Sequence, residues 1–276
     1  MIYRAIINHI ILLFGVFIML SPILLMIFAS SQNTAELRTI GMQFEFGDYL
    51  IENYNSVINF ETGFTDEVTP MAMLKNSMII AIGVGFLTTL LSFFAAYAIV
   101  FFKFKIANII FWLVLSTLLF PLEARFIPTF QITSYLGLIN THLGIILPVI
   151  AAALGTFFFR QFFLTLPEEL MEAALLDGAG SFKFALDILM PLSISRAAAI
   201  FIIAFMIGWN QYLWPIMIST DDTLYTLVRG IRFMGQGSGA GMAFAIITIT
   251  PPLVLVLIFQ RWFFSGLGVE NNLSQK

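Results

Sequence analysis

Long stretches without a single charged residue constrain this chain more than any other feature. Of its 276 residues, 59% are hydrophobic and only 11% are charged, whereas a soluble domain carries about 25% charged residues. About 20 consecutive apolar residues are enough to cross the hydrocarbon core of a bilayer as a helix. The uncharged runs cover residues 5–35, 76–102, 106–122, 126–159, 197–220 and 233–260. They predict an all-α membrane protein.

Six transmembrane helices are predicted from these runs, within a single membrane domain that covers the whole chain. Their expected bounds are 9–29, 77–101, 106–122, 143–162, 197–219 and 242–264. The first run resembles a secretory signal peptide, because Ala29 and Ser31 mimic a cleavage site. Its apolar core is longer than the about 15 residues of a typical signal peptide. We therefore expect it to be retained as a span.

Small residues recur at every third or fourth position of the second predicted span. They are Ala81, Gly85, Thr88, Ser92 and Ala96. Such a stripe lets the backbones of neighbouring membrane helices approach closely, where lipid gives no hydrophobic driving force for association. The pattern predicts tight packing of this helix in a bundle.

The distribution of lysine and arginine predicts which side of the membrane each segment faces. Cytoplasmic loops are enriched in these residues, and short loops carry the most weight. Lys103 and Lys105 flank the tight turn after the second predicted span, whereas segment 30–75 is acidic. Both termini are therefore predicted to be cytoplasmic, as is the segment between the fourth and fifth spans, and 30–75 is predicted to be a periplasmic loop.

A polar segment at 164–193 interrupts the apolar pattern between the fourth and fifth predicted spans. Residues 165–168 fit a capping box at a helix start, and Gly178 suits a left-handed helix end. Pro191 is expected to close a second short helix over 182–189. The segment therefore predicts a helix–turn–helix, which could dock into another protein or rest at the lipid headgroups.

This polar segment resembles the coupling loop of importer permeases of the ATP-binding cassette class. The pattern of that loop is Glu-Ala-Ala, three residues, Gly, nine residues, Ile, one residue and Leu-Pro. The matching positions are Glu172, Ala173, Ala174, Gly178, Ile188 and Pro191, with Met190 in place of the leucine. The six-span layout also resembles the second permease subunit of maltose-type carbohydrate importers, so the resemblance covers nearly the whole chain.

The resemblance implies a function and a set of partners. The loop would dock into a cleft of a separate ATPase dimer, through Glu172, Asp177 and Gly178 above all, with Phe182 exposed on its second helix. A second permease subunit would complete the pathway, and a solute-binding protein would meet the outer loops. The complex would lie in the bacterial inner membrane. ATP and Mg²⁺ would be bound by the ATPase, so this chain is expected to hold no cofactor.

Two amides in the fifth predicted span are candidates for lining a solute pathway. Amides are costly in hydrocarbon unless they are paired or face a wet cavity, so Asn210 or Gln211 could line a pathway or form an interhelical hydrogen bond. Neighbouring positions of a regular helix point about 100° apart, which argues against both amides facing one cavity. Trp209 or Trp214 could stack on the solute, close a gate or anchor the helix at the interface.

Three segments resemble the permease of glycerol-3-phosphate importers. They are GWNQYLWP at 208–215, PLEARFIPTF at 121–130 and FFFRQFFLTLPEEL at 157–170. Many carbohydrate permeases have an acid where Gln211 stands, and a neutral amide repels phosphate less. Arg125 could attract an anion, or it could pair with Glu123. The resemblance implies transport of sn-glycerol-3-phosphate or a related glycerophosphodiester, with a maltodextrin or another sugar as the alternative.

Other functional classes are disfavoured by what the sequence lacks. It contains no phosphate-binding loop of the G-x-x-x-x-G-K-[ST] type, no catalytic triad and no cysteine, so neither an enzyme nor a metal protein is expected. A net charge of −3 and the lack of a basic cluster argue against nucleic acid. A gradient-driven carrier would need buried carboxylates, and Glu123 is the only acid near a predicted span. That carrier, or a structural membrane subunit, is the less favoured alternative.

Overall fold

The computed structural model describes residues 2–59, 68–151, 153–234 and 237–266. All regular elements in this described part are helical, which confirms the all-α prediction. The α-helices are α1 Ile2–Ala29, α2 Thr34–Thr39, α3 Leu50–Ile58, α4 Pro70–Phe101, α5 Ala107–Ser116, α6 Leu122–Tyr135, α7 His142–Ile146, α8 Ala153–Phe163, α9 Glu169–Leu176, α10 Ser181–Lys183, α11 Met190–Leu192, α12 Ile194–Trp209, α13 Leu213–Ile218, α14 Leu227–Gly230 and α15 Gly239–Gly266. A π-helical turn, Phe184–Leu189, joins α10 to α11.

Three helices are long and apolar enough to cross a membrane on their own. They are α1 from Ile6 onward, α4 and α15. Two further pairs of helical segments meet the same criteria but are sharply bent, by 109° between Ala107–Leu119 and Ala124–Tyr135 and by 79° between Ser181–Leu192 and Ile194–Trp209. The described residues therefore contain three to five candidate spans. This supports a multi-pass helical membrane protein, and the count of six stays a prediction.

Two predicted spans are interrupted, and proline is the physical reason in both. The fourth, 143–162, consists of α7 and α8 separated by non-helical residues around Pro148, because proline has no N–H to continue the helical hydrogen bonds and its ring clashes with the carbonyl four residues earlier. The fifth, 197–219, ends as α12 at Trp209 and restarts as α13 at Leu213. Pro215 would clash with the carbonyl of Gln211 in one continuous helix, so the chain breaks before it.

The chain divides into two compact units. The first comprises residues 1–74 and 225–251. Within it, the Asn53 side-chain amide donates to the carbonyls of Ser30 and Gln32, at 2.9 and 3.0 Å. Gly239 packs against Asn53 and Gln32, and a Cβ at this position would lie 2.5 Å from the Gln32 carbonyl oxygen. Helix α3, which lies in the segment predicted as a loop, is thus tied by side-chain hydrogen bonds to the residues that follow α1.

The second unit comprises residues 75–224 and 252–276. Its α4 carries the stripe of small residues, and α8 and α12 pack against that stripe at glycines. A Cβ added at Gly208 of α12 would lie 3.0 Å from the Ala81 Cα, and one at Gly155 of α8 would meet the Ser92 side chain. The predicted close approach of backbones along this stripe is confirmed.

Candidate coupling element and transport cavity

The turn after α9 has the geometry predicted for it. Gly178 has φ +78°, in the left-handed region. Its N–H donates to the Leu175 carbonyl at 3.0 Å, and the Ala179 N–H donates to the Ala174 carbonyl at 2.9 Å. This pair of bonds is the Schellman motif, which satisfies carbonyls at a helix C-terminus. Gly178 therefore sets the direction in which the chain leaves α9.

The start of α9 differs from the prediction. The helix begins at Glu169, and the Thr165 hydroxyl donates to the Phe162 carbonyl at 2.7 Å instead of capping it. Glu168 stands at the N-cap position without a side-chain cap bond. Its carboxylate pairs with Lys103, 3.4 Å away, and both side chains are exposed. The capping box was wrong because the residues before α9 continue the last turn of α8.

The second helix of the element also extends further than predicted. It continues through Pro191 to Leu192, and the bend falls at Ser193, whose hydroxyl donates to the Leu189 carbonyl. Proline removes one hydrogen bond from a helix. Here it follows a π-helical turn over 184–189, in which the regular α-helical hydrogen bonding is already interrupted. Pro191 therefore occupies an irregular point within the helix, not its end.

The base of the element is anchored in an aromatic core. Phe184 is buried against Phe101, with ring centroids 5.4 Å apart, and lies 6.4 Å from Tyr97. The Tyr97 hydroxyl donates to the Ser181 carbonyl at 2.8 Å. Phe163 of α8 joins the same cluster, as does Ala174 of α9. The element is thereby packed against α4 and α8.

The tip of the element is exposed and partly apolar. Leu176 is 89% exposed and Phe182 is 68% exposed. The other predicted coupling residues divide between two faces. Glu172, Ala173, Asp177, Gly178 and Pro191 are exposed, whereas Ala174 is buried and Ile188 is half-buried. Leu175 and Leu176 were missed by the sequence reasoning, although a pair of leucines just before a helix-ending glycine was a visible signal.

A cavity of about 330 Å³ lies where α12 ends, and it brings four predicted pathway residues together. Arg125, Asn210, Gln211 and Trp214 all contribute to its walls. The remaining lining residues are Phe126, Thr129, Pro148, Val149, Ile207, Tyr212 and Leu213. The expectation that the two amides would face different directions was wrong, because the helix stops at Trp209 and residues 210–212 are not helical.

Gln211 is unusual among the described residues. Both polar atoms of its side chain are buried, and neither has a hydrogen-bond partner. Burying an unpaired amide costs about 1–3 kcal/mol, so the protein bears a stability cost at this position. Gln211 lines the cavity, but its two polar atoms are covered in this conformation, so the side chain would have to rotate before it could contact a polar solute.

The two tryptophans have different environments. Trp214 lines the cavity, and its indole N–H donates to the Gly144 carbonyl at 3.3 Å. Trp209 is 2% exposed, stacks on Phe205 with centroids 5.8 Å apart, and is not among the lining residues. The structure thus favours Trp214 over Trp209 for contact with a solute. The Glu123 side chain, the alternative partner of Arg125, lies outside the described residues.

Helix α12 connects the element to the cavity. It starts one residue after the bend at Ser193 and ends one residue before Asn210. Its 16 residues span about 24 Å at the usual helical rise. No group of three or more side chains suited to a metal ion occurs in the described part of the chain.

Long apolar helices, a mainly apolar cavity with a few polar groups in its wall, and an exposed element joined to that cavity by one helix are features of an integral membrane transport subunit. The model of the family described as binding-protein-dependent transport system inner membrane component matches residues 81–268. The chain belongs to this family, whose members are transport subunits of the inner membrane and not enzymes.

Curated relatives match along almost the whole chain. The sn-glycerol-3-phosphate transport system permease protein UgpE of Yersinia pestis bv. Antiqua (strain Antiqua) is 42% identical over 266 residues, which cover 94% of each chain. The protein of the same name from Brucella melitensis biotype 1 is 40% identical over 267 residues, covering 95% of each.

A solved structure has the same fold. It is a chain of a bacterial ABC transporter involved in the import of the acidic polysaccharide alginate. The TM-score is 0.79 at 19% sequence identity, and the match covers 95% of this chain and 96% of the other. At that identity the likeness concerns the fold alone.

Proposed function

We propose that this chain is a permease subunit of an ATP-driven importer for sn-glycerol-3-phosphate or a related glycerophosphodiester. The observation that carries the proposal is the direct link, through α12, between an exposed coupling element and a cavity suited to a small anion. The identity of 40–42% to permeases named for this substrate supports the choice.

The chemistry of the cavity favours a solute with a phosphate and hydroxyl groups. Its described lining contains one cation, Arg125, and no carboxylate. A guanidinium attracts phosphate and can donate two parallel hydrogen bonds to it. The Asn210 and Gln211 amides can both donate to and accept from hydroxyl groups, and Trp214 supplies an apolar wall. A carboxylate in this cavity would repel the anion.

The proposed complex has four kinds of component. A second permease completes the pathway, an ATPase dimer binds ATP and Mg²⁺, and a periplasmic solute-binding protein delivers the solute. The tip of the coupling element docks into the ATPase on the cytoplasmic side, through Leu176 and Phe182 together with Glu172 and Asp177. When the ATPase dimer closes, the element moves with the helices to which it is anchored, and α12 transmits the motion to the cavity.

The transport proposal is tested with the complete importer reconstituted in proteoliposomes. Uptake of radiolabelled sn-glycerol-3-phosphate is measured with enclosed ATP, with a non-hydrolysable ATP analogue, and with an imposed proton gradient alone. We expect uptake only with hydrolysable ATP and the binding protein. Uptake that follows the proton gradient would establish a secondary carrier instead, and preferred uptake of maltotriose would overturn the substrate assignment.

The docking proposal has its own test. Because the chain contains no cysteine, a single cysteine at Phe182 can carry a cross-linker of short reach. We expect Phe182→Cys to capture the ATPase subunit in the assembled complex. The control is Tyr135→Cys, an even more exposed aromatic position at the end of α6, which should capture none. Equal capture by both variants, or none by Phe182→Cys, would refute the docking site.

A further inference from the structure

Residues 42–46, between α2 and α3, expose apolar side chains. Met42 is 49% exposed, Phe44 55% and Phe46 67%. A large exposed apolar surface marks an interaction site or contact with lipid. We call these three side chains the apolar strip.

The apolar strip is held in a defined orientation. The side-chain amide of Gln32 donates to the carbonyls of Gln43 and Glu45, each at 2.9 Å. Its own carbonyl oxygen accepts from the Gln43 N–H at 3.4 Å. Because the backbone at Gln43 and Glu45 is hydrogen-bonded to Gln32, the alternating side chains of the strip point away from Gln32.

The strip lies at the depth where the first span ends. Phe46 and Phe44 contact Phe28 in the last turn of α1, with ring centroids 4.6 and 6.1 Å apart. The apolar run of α1 stops at Ala29, and the buried Ser30 and Ser31 that follow donate to carbonyls of the same turn. The 24 residues of the candidate span Ile6–Ala29 cover about 36 Å as a helix, against a hydrocarbon thickness of about 30 Å. If this helix crosses the bilayer, its last turn and the strip packed on it lie near one surface of the hydrocarbon.

We propose that the apolar strip is a membrane-interface anchor, which rests in the headgroup region next to the end of α1. Its occupant is the lipid surface, because the strip continues the apolar surface of a helix that is itself immersed in lipid. Apolar groups buried at the interface bind in proportion to their buried area. The neighbouring Tyr49 is of the residue type enriched at this depth. Glu45 and Asp48 lie beside the strip and would repel anionic headgroups, so the proposed anchor relies on apolar contact.

The anchor would fix the first unit against the bilayer surface. Segment 30–59 is tied to the end of α1 through Ser31 and Asn53. An anchored strip would therefore keep this segment at a constant distance from the membrane surface. This inference does not depend on the identity of the transported solute.

Spin labels in the assembled importer test the anchor. Single cysteines replace Met42, in the strip, and Asn55, an exposed polar residue of α3. The complex is placed in lipid nanodiscs of neutral and of mixed anionic composition, without the binding protein. For each label, the collision rates with oxygen, which partitions into lipid, and with a water-soluble nickel chelate are measured.

We expect the label at position 42 to collide several-fold more with oxygen than with the chelate in both lipid mixtures, and the label at position 55 to show the reverse. Two results would overturn the proposal. Free access of the chelate to position 42 would mean that the strip faces water. Protection from both reagents would mean that another protein subunit covers it.

Discussion

At the scale of single residues, Gly178 and Gly180 show what decides the role of a glycine. At both positions, no atom lies within 4 Å of the point that a Cβ would occupy, so steric space does not separate them. Gly178 has φ +78°, whereas Gly180 has φ −69°. Only the first needs the conformational freedom of glycine, which is worth about 1 kcal/mol at a left-handed helix end.

Gly178→Ala should therefore weaken the coupling turn by about 1 kcal/mol and reduce the ATPase activity that the loaded binding protein stimulates. The helical bundle should stay folded, because the turn lies at its exposed end. The matched control is Gly180→Ala, which should leave the stimulated ATPase unchanged. Equal activities of the two variants would show that the left-handed turn does not orient the element.

Gln211 is the residue at which stability and function are expected to oppose each other. Replacing it with methionine of similar length removes a buried, unpaired donor and acceptor, which should stabilise the protein by about 1–3 kcal/mol. If the amide binds the solute, the same change should lower uptake about tenfold, equivalent to about 1.4 kcal/mol. Thermal unfolding and uptake of the reconstituted importer measure the two effects.

The control for this pair of measurements is Gln161→Met, at an exposed position of α8. It should change neither uptake nor stability by a comparable amount. Full uptake by Gln211→Met would remove Gln211 from the pathway. A loss of stability would show that the amide has a partner in the assembled complex.

At the scale of elements, the function depends on α12 keeping a close register with α4. Gly208 sits where the two helices approach closely, since a Cβ would lie 3.0 Å from both the Ala81 Cα and the Val84 Cβ. These are backbone and branched groups that cannot move aside easily. The register of α12, and so the position of the cavity at its end, follows from this contact.

Gly208→Val should consequently destabilise the protein by about 1–3 kcal/mol, the usual cost of overpacking a core, and lower the midpoint of thermal unfolding. Gly15→Val in α1 is the control, because no atom lies within 4 Å of a Cβ at that position. Scanning fluorimetry of the purified complex compares them. Equal midpoints would contradict the tight α4–α12 contact.

At the scale of the whole molecule, the proposed mechanism requires the coupling element and the first outer segment to lie on opposite sides of the membrane. The prediction came from the positions of lysine and arginine. Single cysteines in the cysteine-free chain can test it with a membrane-impermeant maleimide added to intact spheroplasts.

Asn55→Cys in α3 should react from outside, and Lys183→Cys in α10 should react only after the membrane is permeabilised. Both positions are exposed, so a failure to react reports on membrane sidedness and not on burial. The reverse labelling pattern would place the element outside the cell and would rule out docking to a cytoplasmic ATPase.

Much of this protein could be predicted from local sequence. The apolar runs predicted helices in a membrane, since a backbone in lipid must satisfy its own hydrogen bonds. The stripe of small residues on α4 predicted close helix packing, and Gly178 predicted a left-handed turn. Each of these depends on interactions within a few residues, or on the choice between lipid and water.

Only the tertiary structure decided where the irregular points fall and what they bring together. The break at residues 210–212 places two neighbouring amides in one cavity, and Pro191 lies within a helix because a π-helical turn precedes it. The burial of Trp209, the exposure of Leu176 and the unpaired amide of Gln211 are likewise set by distant segments. Hydropathy averages over a helix, whereas a cavity forms where several helices stop, and that depends on packing between residues far apart in the chain.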